Sequence, residues 1–256
     1  MELGEKAGGR VILLMLFFPF SFFFISVYTE ALFLFLIVAA FYFARKQKWL
    51  ASSLFALFAS ACRPIGFLLI IPLFWEYFQQ KNYKFKEIGR QAWWLLLAPF
   101  GLFSYMFYLG FKFGHPLLFI KAENIWSRSP DASLFNLWGV FKTYGHDFWQ
   151  VLTTGQAYFL ANSFDLVVWL VFAVLAIVAF VKLRPAYGVL MILLLSAGAI
   201  TGTLISSTRF VIVLFPAYLV LAKLTKSETA FSLTLALSAI FLGLFAIMFT
   251  SGYWVG

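Results

Sequence analysis

An arginine lies between two apolar runs of the chain, in the stretch Ser60-Ala61-Cys62-Arg63-Pro64-Ile65-Gly66. Two other charged residues, Glu30 and Arg209, also border apolar runs. An arginine near the centre of a bilayer costs about 2.5–3.5 kcal/mol on insertion scales. Arg63 is therefore expected at a membrane surface, where the proline and glycine that follow it turn the chain. Because guanidinium groups donate paired hydrogen bonds to phosphate oxygens, Arg63 and Arg209 are candidates for holding a phosphate, such as that of a lipid head group.

Each of these three charges also has a simpler interpretation. Glu30 could cap the helix that follows it, because a carboxylate is favourable near a helix N-terminus. Arg63 and Arg209 could be interface anchors, with their aliphatic stems in lipid and their charged ends in water. Cytoplasmic loops usually carry most of the positive charge of a membrane protein. Isolated arginines on the opposite side of the membrane run against that rule, so we expect a partner to hold them there.

The composition is that of an integral membrane protein. Hydrophobic residues make up 63% and charged residues 11% of the 256 residues, whereas about a quarter of the residues in a soluble domain are charged. Apolar runs close to the crossing length of about 20 residues recur along the chain. We therefore predict a single all-α transmembrane domain over residues 1–256. The single cysteine, Cys62, excludes an intramolecular disulfide and is interpreted as a small buried residue.

The apolar runs predict a polytopic transmembrane helical bundle of about nine spans. The runs lie at about 11–27, 31–44, 49–62, 65–78, 92–110, 163–181, 186–205, 210–222 and 229–249. The second, third and fourth are short for a full crossing, so tilt, local thinning or a re-entrant shape is an alternative there. The one long polar segment, at about 111–162, is predicted to be an extracytoplasmic loop.

The distribution of Lys and Arg sets the predicted orientation, because cytoplasmic loops carry most of the positive charge. With the N-terminus in the cytoplasm, 13 of the 19 basic residues fall on cytoplasmic loops. The other six are Arg63, Lys112, Lys121, Arg128, Lys142 and Arg209. The net charge of +9 is therefore interpreted as topology and contact with anionic lipid in the bilayer, and no nucleic-acid partner is expected.

The same orientation gathers the candidate site on one side of the membrane. Glu30, Arg63, Arg209 and the loop at about 111–162 all reach the extracytoplasmic face, where isolated charges tend to line a substrate pathway or polar cavity. On the loop, Trp126 offers an aromatic ring face on which a sugar could pack, and Arg128 offers the planar hydrogen-bond donors of its guanidinium. An interfacial aromatic belt explains the tryptophans of the loop equally well.

The two histidines, His115 and His146, are distant in sequence and lack a spaced carboxylate motif. Neither a metal site nor a cofactor is therefore predicted.

Four stretches, in order along the chain, resemble the polytopic GT-C glycosyltransferases, and most closely the bacterial relatives of the second mannosyltransferase of GPI-anchor assembly. The first two are Pro19 to Phe33, which contains Tyr28-Thr29-Glu30, and Cys62 to Gly66. Gly114-His115-Pro116 with Phe119 and Trp126-Ser127-Arg128 is similar to the G-D-P-x-x-F…W-x-R stretch of that group. Arg209-Phe210 through Phe215-Pro216 is similar to its late R-[YF]…F-P element.

This resemblance implies transfer of a sugar from a polyprenyl-phosphate donor on the extracytoplasmic side, in a multi-pass protein of the bacterial inner membrane. It implies that Arg63, Arg128 and Arg209 help bind the donor phosphate, and that Tyr28 and Glu30 help shape the sugar pocket. It also implies an acidic residue, usually Asp, on the first outer loop, which acts as a base toward the acceptor hydroxyl or positions it. No counterpart precedes Pro19, so the catalytic residue is unknown.

The chain departs from the family pattern at two points. His115 stands where the family usually has Asp, and the spans that carry the acidic loop are expected upstream of this sequence or on a second chain. Two other classes of function stay open: a lipid or small-solute transporter, and a noncatalytic membrane subunit or fragment. A transporter predicts paired ionisable residues within spans and related halves.

Overall fold

The computed structural model describes residues 5–122, 135–155, 160–253 and 255. Their secondary structure is helical and contains no strand within those ranges, so the all-α prediction is confirmed. The α-helices are α1 (Glu5–Leu16), α2 (Glu30–Arg45), α3 (Trp49–Cys62), α4 (Ile70–Gln80), α5 (Phe100–Phe113), α6 (Leu118–Ala122), α7 (Phe135–Thr154), α8 (Leu160–Lys182), α9 (Pro185–Ile200), α10 (Ser207–Phe210), α11 (Phe215–Leu224) and α12 (Glu228–Thr250). Short 3-10 helices lie at Ser21–Phe24, Pro64–Leu69, Phe85–Glu87, Arg90–Leu97 and Val211–Val213.

Helix α2 lies in the main core. Its buried side chains recur every three or four residues, from Phe33 to Ala44, and the helix packs against α3, α4 and the 3-10 helix Val211–Val213. At 1.5 Å per residue, α2 is about 24 Å long. The two ends of α2 therefore lie far enough apart to carry two separate groups of charges, one beginning at Glu30 and the other at Arg45.

Three described helical segments are long and apolar enough to cross a membrane: Arg90–Phe113, Ala161–Lys182 and Glu228–Thr250. A fourth would be the pair Ser207–Val213 and Phe215–Leu224, which is bent by 80°. The predicted count of nine spans is therefore not confirmed. Several of the remaining apolar helices of the described chain are 10–17 residues long, which is short against a hydrocarbon core of about 30 Å.

Two of the predicted spans are interrupted by proline. The run at about 11–27 divides into α1, which ends at Leu16, and the 3-10 helix Ser21–Phe24 beyond Pro19. The run at about 210–222 breaks before Pro216, which lies in the first turn of α11. Proline has no backbone N–H to continue a helix, so each of these runs breaks near its proline.

The predicted loop at about 111–162 contains helical structure in its described part. Helix α7 packs against α8 and α9 through Val140, Tyr144 and Asp147, which are buried and spaced three or four residues apart. The segment is polar on average, and a helix needs only one apolar stripe to pack, so its average polarity did not reveal this spacing. That the segment is one long extracytoplasmic loop is not confirmed.

Candidate functional site

Arg63 is held at the end of α3 by a tight turn. Its backbone is extended (φ −142°, ψ 131°), as the proline after it favours. Pro64 then starts the next 3-10 helix. A Cβ added at Gly66 would lie 2.5 Å from the backbone of Ala59, so only glycine allows this turn to pack on α3. The guanidinium is thereby directed from the end of α3 toward the start of α2.

Glu30, the first residue of α2, meets two arginines that are distant in sequence. Arg63 donates a hydrogen bond from Nη1 to Glu30 Oε1 at 3.0 Å, and Arg209 Nε lies 3.3 Å from the same oxygen. The Glu30 side chain is 2% exposed, while each arginine side chain is 16% exposed. We call these three residues the Glu30 cluster. The arginines therefore retain a small exposed fraction, while their shared carboxylate is enclosed.

Aromatic rings surround the two guanidinium groups. The Phe210 ring centre lies 5.0 Å from the Cζ atom of both arginines. Phe33 faces Arg63 at 5.5 Å, and Tyr28 faces Arg209 at 5.0 Å. Ring faces attract cations, so these side chains restrain the guanidinium planes without consuming their hydrogen-bond donors. The rings therefore help to fix the orientation of both guanidinium groups beside Glu30.

The Glu30 cluster places two guanidinium groups beside one carboxylate. Burial lowers the pKa of Arg63, and the negative charge of Glu30 opposes that shift. Among the residues that the structure describes, Glu30 Oε2 is buried and has no hydrogen-bond partner. Two guanidinium groups brought together in this way form a group of donors of the kind that binds anions.

Four of the six predicted site residues thus lie together: Tyr28, Glu30, Arg63 and Arg209. Trp126 and Arg128 lie outside the described residues.

His115 is exposed, and the Nδ1 atom of His146 lies 3.7 Å from Asp147 Oδ1. No group of three or more His, Cys, Asp or Glu side chains that could hold a metal occurs in the described ranges.

A second group of charges lies at the other end of α2. Arg184 Nη1 donates to Glu76 Oε1 at 2.8 Å and to Oε2 at 2.9 Å, and Arg45 Nη1 donates to Oε1 at 3.3 Å. Gln80 adds a hydrogen bond to Glu76 Oε1 at 2.6 Å. We call Arg45, Glu76 and Arg184 the Glu76 cluster. It joins α2 and α4 to the start of α9. This cluster was not predicted from the sequence, although Glu76 is an isolated charge in an apolar run.

Asp165 is another residue that the sequence analysis did not select. It lies in α8, and its Oδ1 accepts a hydrogen bond from the backbone N–H of Thr208 at 3.4 Å. Thr208 precedes Arg209 in the short helix α10, so Asp165 connects α8 to the helix that carries one arginine of the Glu30 cluster. A single Asp inside an otherwise apolar span is the signal that would have found it.

The chain was compared with protein-family models, with curated proteins and with solved structures, and none of them matches. The resemblance to the GT-C glycosyltransferases therefore stays a prediction from the four short stretches.

Proposed function

We propose that this protein is a membrane glycosyltransferase of the GT-C kind, similar to the mannosyltransferases, that transfers a sugar from a polyprenyl-phosphate donor. Arg63 and Arg209 bind the donor phosphate, and Tyr28 lies beside the sugar. The protein spans the bacterial inner membrane several times, with its N-terminus in the cytoplasm and the Glu30 cluster at the extracytoplasmic face. The observation that carries the proposal is the meeting of Arg63 and Arg209 on one buried carboxylate.

The electrostatics of the Glu30 cluster support a phosphate ligand. A phosphate monoester or diester brings at least one negative charge to a place where two guanidinium groups meet. Arginine suits this task because its planar guanidinium meets two phosphate oxygens at once. Glu30 holds the two guanidinium groups together, so the sugar donor would meet a prepared site.

The expected chemistry is displacement at the anomeric carbon. The bond between that carbon and the phosphate oxygen breaks, and its electron pair stays on the polyprenyl phosphate. The acceptor oxygen forms the new bond to the carbon, and the acceptor hydroxyl gives up its proton to a base. Arg63 and Arg209 would stabilise the charge that develops on the leaving phosphate. The residue that takes the proton is not assigned.

The test is to measure binding of a polyprenyl phosphate and transfer of labelled mannose from polyprenyl-phosphate mannose in reconstituted membranes. Arg63→Ala and Arg209→Ala should each weaken binding by about tenfold to a hundredfold, because each removes charged hydrogen bonds to phosphate. Arg63→Lys keeps the positive charge beside Glu30 and should fold normally, with an intermediate loss of affinity.

Lys112→Gln is the matched control, because it removes an exposed cation near the end of α5 that does not contact Glu30. Binding that is unchanged in Arg63→Ala, or reduced equally in Lys112→Gln, would show that the Glu30 cluster does not hold the phosphate.

A lipid or small-solute transporter is the second candidate, and the presence of buried Arg–Glu clusters at both ends of α2 favours it. Clusters of this kind could close a pathway at each face in turn. Proteoliposomes loaded with labelled polyprenyl-phosphate mannose would separate the two functions. Movement of the intact lipid between leaflets without loss of its sugar would indicate transport.

A further inference from the structure

Two adjoining grooves lie where the turn between α2 and α3 meets the 3-10 helix Arg90–Leu97. Their volumes are about 360 and 490 Å³, and both are open at the protein surface. The first is lined by Gln47, Lys48, the first turn of α3, Gln91 and Trp94. The second is lined by Arg90, Gln91, Trp93, Trp94 and Leu97. Gln91 and Trp94 line both grooves, so the two lie side by side, and we call them together the depression.

The lining combines positive charge, amide groups and aromatic rings. Lys48 lies in one groove and Arg90 in the other, and neither set of lining residues includes an acidic side chain. Trp93 is 71% exposed and Trp94 44% exposed. Indole rings prefer the boundary between lipid and water, because their bodies are apolar and their N–H groups need a partner. This depression therefore offers cations to an anionic group and apolar surface beside it.

The position of the depression fits the surface of the bilayer. Arg90 is the first residue of the candidate span Arg90–Phe113. Lys48 comes just after the end of α2 that carries Arg45, so the depression lies at the same end of α2 as the Glu76 cluster and away from the Glu30 cluster. The segment that precedes Arg90 adds Lys81, Lys84 and Lys86. Clusters of basic residues next to a span attract anionic lipid.

We propose that this depression binds the head group of an anionic phospholipid of the phosphatidylglycerol type. Lys48 and Arg90 contact the phosphate from its two sides, and the amides of Gln47 and Gln91 meet the glycerol hydroxyl groups. The acyl chains run along Trp93, Trp94 and Leu97 toward the hydrocarbon core. The bound lipid would fasten the turn between α2 and α3 to the start of the Arg90–Phe113 span. This site does not depend on the proposed sugar transfer.

The test is to count retained lipids by native mass spectrometry while the full-length protein in detergent is titrated with dioleoyl phosphatidylglycerol or with dioleoyl phosphatidylcholine. Phosphatidylglycerol should bind at one preferred site, and phosphatidylcholine should not. The double variant Lys48→Gln/Arg90→Gln should weaken that binding by about tenfold or more, because each cation near a lipid phosphate contributes to affinity. Trp94→Ala should weaken it by removing the wall common to both grooves.

The control is Lys84→Gln/Lys86→Gln, which removes the same charge from the adjoining basic segment without changing the grooves. Its binding should stay within twofold of that of the unmodified protein. Equal losses in both double variants would show general attraction by the basic surface, and no loss in Lys48→Gln/Arg90→Gln would show that the lipid binds elsewhere. Either result overturns the proposal. Circular dichroism and gel filtration confirm that each variant is folded before titration.

Discussion

The Glu30 cluster and the Glu76 cluster have the same composition, two arginines around one buried glutamate, and they lie at the two ends of α2. In the Glu76 cluster both carboxylate oxygens accept hydrogen bonds, and Gln80 adds another. In the Glu30 cluster both arginines lie against Oε1, and Oε2 has no hydrogen-bond partner among the described residues. Two clusters of the same composition therefore differ in how completely their carboxylate is hydrogen-bonded.

The difference lies in the carboxylate and not in the exposure of the arginines. The arginine side chains are 20% exposed in the Glu76 cluster and 16% exposed in the Glu30 cluster. A buried carboxylate is costly unless its oxygens are hydrogen-bonded. Glu76 meets that requirement within the protein, so its cluster is complete. Glu30 meets it only in part among the described residues, so its cluster is the less complete of the two.

The largest effect is expected from Glu76→Gln. The change leaves two buried guanidinium groups without their shared negative charge, and breaking a buried pair of this kind costs about 3–5 kcal/mol. The free energy of unfolding in detergent, from thermal or denaturant melts, measures the loss. Glu87→Gln is the control, because Glu87 is an exposed partner of Lys84 and its loss should cost less than about 1 kcal/mol.

A smaller loss, about 1–3 kcal/mol, is expected from Glu30→Gln, because Glu30 bonds through one oxygen only and aromatic rings support its arginines. Inorganic phosphate should recover part of this loss by supplying the missing negative charge. Phosphate should recover less of the loss in Glu76→Gln, because Glu76 accepts hydrogen bonds through both oxygens and a phosphate would have to replace a more complete set of bonds. Equal recovery in the two variants would remove the distinction between the clusters.

Arg209→Lys should lower the affinity for a polyprenyl phosphate by about tenfold with little change in stability. Lysine keeps the positive charge near Glu30 but loses the planar pair of donors. Isothermal titration in detergent measures the affinity. The same change in the other cluster, Arg184→Lys, should leave polyprenyl-phosphate affinity unaltered and instead reduce the melting temperature.

The smallest effect is expected from Phe210→Leu, which removes a ring face from two guanidinium groups at once. We expect a loss of stability of about 1 kcal/mol. Phe107→Leu is the control, because that ring is 77% exposed on α5. A loss in Phe107→Leu equal to that in Phe210→Leu would show that the cation–π contacts contribute nothing.

The helical class was predictable because apolar residues dominate nearly every segment. The individual spans were less predictable. The mean apolarity of a run does not show where Pro19 and Pro216 divide it. In α7, polar residues raise the average polarity of the helix, so its one apolar packing face was not predicted. The candidate site was partly predictable, because Glu30, Arg63 and Arg209 are rare charges beside apolar runs. Glu76 and Asp165 carry the same signal, but they lay inside predicted spans and were not selected.

The sequence by itself determined that the chain is helical, apolar enough for membrane crossings, and supplied with isolated charges where apolar runs end. Only the tertiary structure decided which of those charges meet. Glu30 and Arg209 are 179 positions apart, and no local pattern specifies that α10 packs back toward the start of α2. Such pairings depend on how helices pack against one another, and that packing is a property of the whole bundle.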